Sequence, residues 1–101
     1  MFLFIKFMDI WDLLGCETRR RIIKIVINGP KYKTEIARIL DIGQKAINEH
    51  LELLKKFGFL SEFVERQDRG RPRIYYTIPD EIKSIIEDME RMIKKLNRTR
   101  I

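Results

Sequence analysis

The chain has 101 residues, 45% of them hydrophobic, with a formal charge of +6 and a single cysteine. That length and apolar content predict one folded domain and exclude a mainly disordered chain, while one cysteine excludes both an internal disulfide and a cysteine-rich metal cluster. The basic balance favours a polyanionic partner, either nucleic acid or an anionic membrane surface.

The opening "MFLFIKFM" resembles a signal peptide for a few residues. Lys6 interrupts it, Asp9 and Asp12 follow, and no small-residue cleavage site appears, so a cytoplasmic protein is expected. Residues 1–7 are expected either to join a subunit interface or to lie upstream of a start at Met8. No run is long and apolar enough for a membrane span, and no membrane partner is expected.

"DIWDLL" is a short apolar segment closed by Gly15. A helix then begins near Glu17 and stops at Asn28-Gly29-Pro30, with Ile22, Ile23, Val26 and Ile27 at inward spacings of three and four. "TEIARIL" is predicted as a further helix, with Thr34 as N-cap and Ile36, Ile39 and Leu40 turned inward. Only Asp41-Ile42-Gly43 separates it from "QKAINEHLELLKKF", which Gly58 ends as a C-terminal glycine cap. Two helices across so short a turn, over about 34–57, are a helix-turn-helix. "FLSEFVER" and "RPRIYYTI" follow as the strands of a hairpin, a wing over about 59–78 turning at Asp68-Arg69-Gly70. A last helix, about 80–97, repeats Ile82, Ile85, Met89, Met92 and Leu96 at 3-4-3-4 spacing, a stripe that calls for another helix.

This order is that of a winged helix-turn-helix, and the local words support it. "LLGCETRRRIIKIV" followed by "EIARILDIGQKAINEHLELLKKFGFL" resembles the ArsR-type (arsenic-repressor-like) family of prokaryotic transcriptional regulators, in the variety that lacks the metal site. The resemblance runs from about Asp9 to Ile78 and is most specific at Thr18-Arg19-Arg20-Arg21-Ile22, at Glu35 to Leu54 with His50-Leu51, and at Gly58. It implies a homodimer that binds a pseudo-palindromic operator through two recognition helices and two wings. The fold class expected is therefore α+β, mainly helical: one winged helix-turn-helix domain over 1–101 with an added C-terminal dimerisation helix.

Projecting the second helix of the motif at helical pitch turns Ile47, Leu51 and Leu54 to the core, and Gln44, Lys45, Asn48, Glu49 and Glu52 outward. In such a motif the outward face enters the major groove with its N-terminal half closest to the bases. Gln44 and Asn48 are the expected base readers, each amide offering a donor and an acceptor to an adenine edge, and Lys45 reaches guanine or phosphate. Glu49 departs from the family, whose members commonly carry a basic residue there. His50 projects towards the buried side, where a hydrogen bond between helices is expected more than a DNA contact.

Arg19, Arg20 and Arg21 span most of a turn and cannot all face DNA; Arg19 is taken as a phosphate contact. Arg69-Gly70-Arg71-Pro72-Arg73 matches the short core with which chromatin tails enter A·T-rich minor grooves, and between two strands it becomes a wing tip. Arg69, Arg71 and Arg73 are assigned to DNA, with Gly70 supplying a positive φ. Trp11 and Leu14 are paired with the C-terminal stripe as the dimer interface.

Metal-sensing members of the family place cysteine pairs on the first helix of the motif, or His and carboxylate ligands on the C-terminal helix. "TEIARIL" has no Cys and the last helix has no His, so neither metal nor other cofactor is expected, and Cys16 is read as an inert thiol. With no phosphate loop and no nucleophile paired with a base at motif spacing, no enzymatic activity is expected. The function expected is a sequence-specific, double-stranded-DNA-binding regulator, a dimeric repressor whose effector the sequence does not identify. The alternatives are an architectural DNA protein of little specificity, or a winged helix that binds protein or RNA.

Overall fold

The computed structural model describes residues 8–99; the expectations for residues 1–7 lie outside them. Five helices and three strands follow in the order α1 (Ile10–Leu14), α2 (Glu17–Val26), β1 (Lys31–Tyr32), α3 (Lys33–Leu40), α4 (Gln44–Lys56), β2 (Ser61–Glu65), β3 (Arg73–Thr77) and α5 (Asp80–Thr99). The strands form an antiparallel sheet in the order β1-β3-β2. The architecture is the expected one, helical with a small sheet as its wing.

One apolar cluster holds the helices together. Leu13, Ile22, Ile36, Ile47, Leu51 and Leu54 are completely buried, and Val26, Leu60, Tyr76 and Ile78 close the cluster beneath the sheet. The three core residues of α4 recur at intervals of four and three, the period that lines one side of a helix. Their burial fixes the opposite face outward, so α4 is aimed by its own core.

Turn chemistry sets the angle between α3 and α4. Asp41 takes the left-handed conformation (φ 54°, ψ 50°), its N–H donates back to Ala37 and Arg38, and Ile42 N–H donates to the Ala37 carbonyl at 3.1 Å. Gly58, at φ 81°, ends α4 as expected, with Phe59 N–H donating to the Leu54 carbonyl at 2.9 Å.

Two local expectations are corrected, and one element is added. The N-cap of α3 is Tyr32 rather than Thr34, because β1 carries the chain straight into Lys33 and the Glu35 carboxylate accepts from Tyr32 N–H at 3.4 Å. Strand β1, only two residues long, is an element that the sequence pattern does not announce. Ile39 is 50% exposed, and the face of α3 that packs inward is Ile36, Ala37 and Leu40. Ile36, Ala37 and Leu40 follow the three- and four-residue period of one helix face, and Ile39 falls outside it.

Helix α5 is bound to the domain near its start, where Ile82 and Ile86 pack against the core. Ile85 between them, and Met89, Met92, Ile93 and Leu96 beyond, are all exposed. Trp11 on α1 is 79% exposed, whereas Leu14 is half-buried against its own core. Of the residues expected at a dimer interface, Leu14 and Ile82 are thus partly occupied within the protomer, and the others lie on exposed apolar surface.

Candidate nucleic-acid interface

The solvent face of α4 carries the expected readers. Gln44, Lys45, Asn48, Glu49 and Glu52 are all exposed. The N-cap of α4 is Gly43, which has no side-chain acceptor to offer, and its first turn contains no acidic residue. Its first amides therefore keep their capacity for an anion, and the positive end of the helix dipole adds to it. Lys33, a residue sequence reasoning missed, donates from Nζ to Asn48 Oδ1 at 3.3 Å. A lysine has no acceptor, so the Asn48 oxygen faces it and the amide NH2 is left for other partners.

At the far end of the helix, Lys55 bridges Glu52 at 3.4 Å and Glu62 of β2 at 3.1 Å. The hydrogen bond from Lys55 to Glu62 is the main reason the lysine's pKa rises. Glu52 is therefore balanced by a lysine on its own helix.

The wing is held by its outer face. Phe63 and Tyr75, opposite each other on β2 and β3, stack with ring centres 5.4 Å apart, and Tyr75 meets Tyr32 edge-on at 5.6 Å. The Arg73 guanidinium lies 4.6 Å from the centre of the Tyr32 ring. Arg73 is exposed, so its cation is positioned by the aromatic face without being buried. The turn beyond it carries Arg69 and Arg71, both exposed, and Gly70 has the positive φ expected of it, 86°. Adding a side chain there would meet no steric obstacle, so the requirement for glycine is one of backbone conformation alone.

Arg19 is not where the sequence expectation put it. It is buried, 9% exposed, with Nε donating to the Leu13 carbonyl at 2.7 Å and Nη2 to the Asp12 carbonyl at 3.0 Å. Arg20 adds a bond from Nη1 to the Leu14 carbonyl at 2.7 Å. The arginines at the start of α2 thus cap the C-terminus of α1, whose last carbonyls have no partners within the helix. Positive charge is favourable at that end of α1, and the charge-assisted bonds to its carbonyls offset the mild cost at the start of α2. Arg19 is removed from the DNA contacts because its side chain is committed to the protein.

The third arm of Arg19 reaches α4, with Nη1 3.3 Å from His50 Nδ1. His50 is half-buried. Burial lowers its pKa and the Arg19 charge lowers it further, while Glu49 acts in the opposite sense. The expected hydrogen bond between helices is present, and its donor is Arg19.

Among the described residues, no group of three or more His, Cys, Asp and Glu is placed to hold a metal ion. Cys16 is half-buried at the N-cap of α2 without a capping bond from its side chain. No described helix is long and apolar enough to cross a membrane.

Known proteins share the family and the fold. The family model described as bacterial regulatory protein, arsR family, matches residues 16–62, from the N-cap of α2 into β2. The HTH-type transcriptional regulator Rv2034 of Mycobacterium tuberculosis is 30% identical over 81 residues, which span 80% of this chain and 72% of that protein. Among solved structures, reduced HlyU from Vibrio cholerae N16961 superposes with a TM-score of 0.64 at 25% identity, covering 79% of this chain and 80% of its own. The reduced form of the transcriptional regulator YodB from B. subtilis gives 0.66 at 22% identity, covering 87% and 90%, and bears on the fold. The family is one of regulatory proteins, and Rv2034 and YodB are transcriptional regulators, not enzymes. The chain belongs to the arsR family of bacterial regulatory proteins and is a DNA-binding transcriptional regulator of the winged-helix type.

Proposed function

We propose that the protein is a cytoplasmic, homodimeric repressor that recognises a pseudo-palindromic operator in double-stranded DNA. The observation that carries this reading is the division of α4 into a fully buried face, Ile47, Leu51 and Leu54, and an exposed face bearing Gln44, Lys45 and Asn48. With α4 in the major groove, Gln44 and Asn48 read base edges, and Lys45 and the uncapped N-terminal amides take phosphate. Arg69, Arg71 and Arg73 extend the contact along the flanking backbone or into a narrow minor groove. The exposed stripe on α5, with Trp11, supplies a face for a second copy, whose two-fold axis would repeat the half-site. Repression follows from occupancy, since a bound dimer excludes other proteins from the same stretch of promoter.

Alanine variants test the division of labour. Arg69→Ala and Arg71→Ala should weaken binding to all sequences alike and reduce the salt slope by about 0.9 for each phosphate that is no longer neutralised. Gln44→Ala or Asn48→Ala should relax preference at a defined base pair, at about 1–3 kcal/mol. Folded wing variants that bind like the parent at every salt concentration would remove the wing from the interface. Recognition-helix variants with unchanged base preference would point to an architectural protein.

A further inference from the structure

Three features lie outside the proposed DNA contacts: an open groove between α2 and α5 lined by Lys24, Asn28, Lys83 and Glu87, the exposed aromatic face of the wing, and the Arg19–His50 contact. The groove has charges of both signs and nothing that selects a ligand, and the aromatic face is already accounted for by holding Arg73. The third joins two elements with separate tasks.

We propose that Arg19 and His50 are a positioning pair: Arg19 fastens the recognition helix to the C-terminus of α1 while the His50 ring is neutral, and protonation of that ring releases the fastening. An arginine has no acceptor, so the 3.3 Å contact requires an unprotonated His50 Nδ1, with the ring proton on Nε2. A second proton would place one cation's N–H against another's. Arg19 is held by the Leu13 and Asp12 carbonyls and keeps its place, so the repulsion acts on α4. His50 lies one turn beyond Ala46 and Ile47, between the base-reading half of α4 and the Lys55 bridge to the wing. Displacing it tilts the face that carries Gln44 and Asn48.

Among the described residues, two charged groups act on the His50 ring. Arg19 approaches the ring from α2 and Glu49 influences it from α4. The carboxylates of Asp9 and Asp12 cap the N-terminus of α1, and a non-titrating variant of His50 isolates the effect of its ring. The inference rests on the reading of α4 as the DNA-reading helix. Its direction is distinctive, because an added positive charge on a DNA-facing helix would otherwise strengthen binding as pH falls.

The chain has one histidine and one tryptophan, so each can be followed without ambiguity. DNA affinity is measured by fluorescence anisotropy from pH 7.5 to 5.5 for the parent, His50→Asn and His50→Leu, with circular dichroism at each pH to verify folding. The side-chain oxygen of Asn accepts from Arg19 and does not titrate, whereas Leu offers no acceptor. The parent should lose on the order of tenfold in affinity on acidification, a typical coupling between sites, while His50→Asn stays level and His50→Leu is weak throughout. A parent that binds more tightly at low pH, or a His50→Asn variant that follows the parent, overturns the proposal. An arm without DNA decides it separately. In 1H–15N spectra the His50 ring should be the Nε2–H form, and the Trp11 indole and the Leu13 and Leu14 amides should shift with its midpoint in the parent and not in His50→Asn. An Nδ1–H ring, or α1 signals indifferent to His50, contradicts the pairing even if DNA binding is normal. A folded parent that binds no DNA at any pH defeats the proposed function instead, and the spectra still decide the pairing.

Discussion

Replacing Ile85 and Met89 together with Glu should yield a folded monomer. In the protomer these side chains are 54% and 53% exposed, and α5 is attached through Ile82 and Ile86, so the charges enter solvent and leave the core intact. Full burial of such a side chain is worth about 1.5–3 kcal/mol, and covering the exposed half gives about 1 kcal/mol each. Two per chain across a two-fold interface amount to about 4 kcal/mol, roughly a thousandfold in dimer dissociation constant before repulsion between the new carboxylates is added. Sedimentation equilibrium at micromolar concentration reads this directly, with circular dichroism as the control for folding. A double variant that remains a stable dimer would place the interface elsewhere and leave the α5 stripe without explanation.

Arg19→Met removes two charge-assisted bonds to the Leu13 and Asp12 carbonyls and should cost about 3 kcal/mol, lowering the thermal midpoint by more than about 10 °C; a cost below about 1 kcal/mol would refute its capping role. Gly58→Ala places a side chain at φ 81° and should destabilise by about 1 kcal/mol in urea titration, with no change if α4 ends without the left-handed residue. Because the pKa of His50 is lowered on folding, its contribution to stability is fully present above the unfolded value of 6.5 and is lost as pH falls from there through the lower folded-state value; the difference in stability between parent and His50→Asn should shrink or reverse on acidification, as denaturation at stepped pH will read. Zinc, cadmium, copper or arsenite should change DNA affinity by no more than about threefold, roughly 0.7 kcal/mol, and a large metal-dependent release from DNA would refute that indifference.

Much of the fold is legible because the period of the apolar residues is a direct consequence of helix geometry. Ile47, Leu51 and Leu54 are placed correctly on that basis alone, and their outward neighbours with them. Residue type misleads where it conflicts with period. Arg19 stands three before Ile22, four before Ile23 and seven before Val26, all buried, so its spacing puts it on the inner face of α2. Its assignment to DNA follows instead from arginine being ordinarily exposed and from the two arginines after it. Conversely Ile39 is turned inward for being apolar, although Ile36, Ala37 and Leu40 make the tighter face. Strand β1 and the Lys33–Asn48 bond depend on partners distant in sequence, and neither leaves a local period. The capping bonds of Arg19 and Arg20 are likewise tertiary, though the unfavourable charge at the start of α2 is a sign that those arginines serve another helix.

Whether α4 and the wing together read a defined DNA sequence as a dimer is decided by selecting bound fragments from random duplex DNA with the full chain, followed by sequencing. The expected product is an enriched, inverted-repeat motif with half-sites about one helical turn apart or a multiple of it, and flanks rich in A·T where the wing arginines reach. Even recovery of all sequences, with no motif and no repeat, would contradict a sequence-reading dimer.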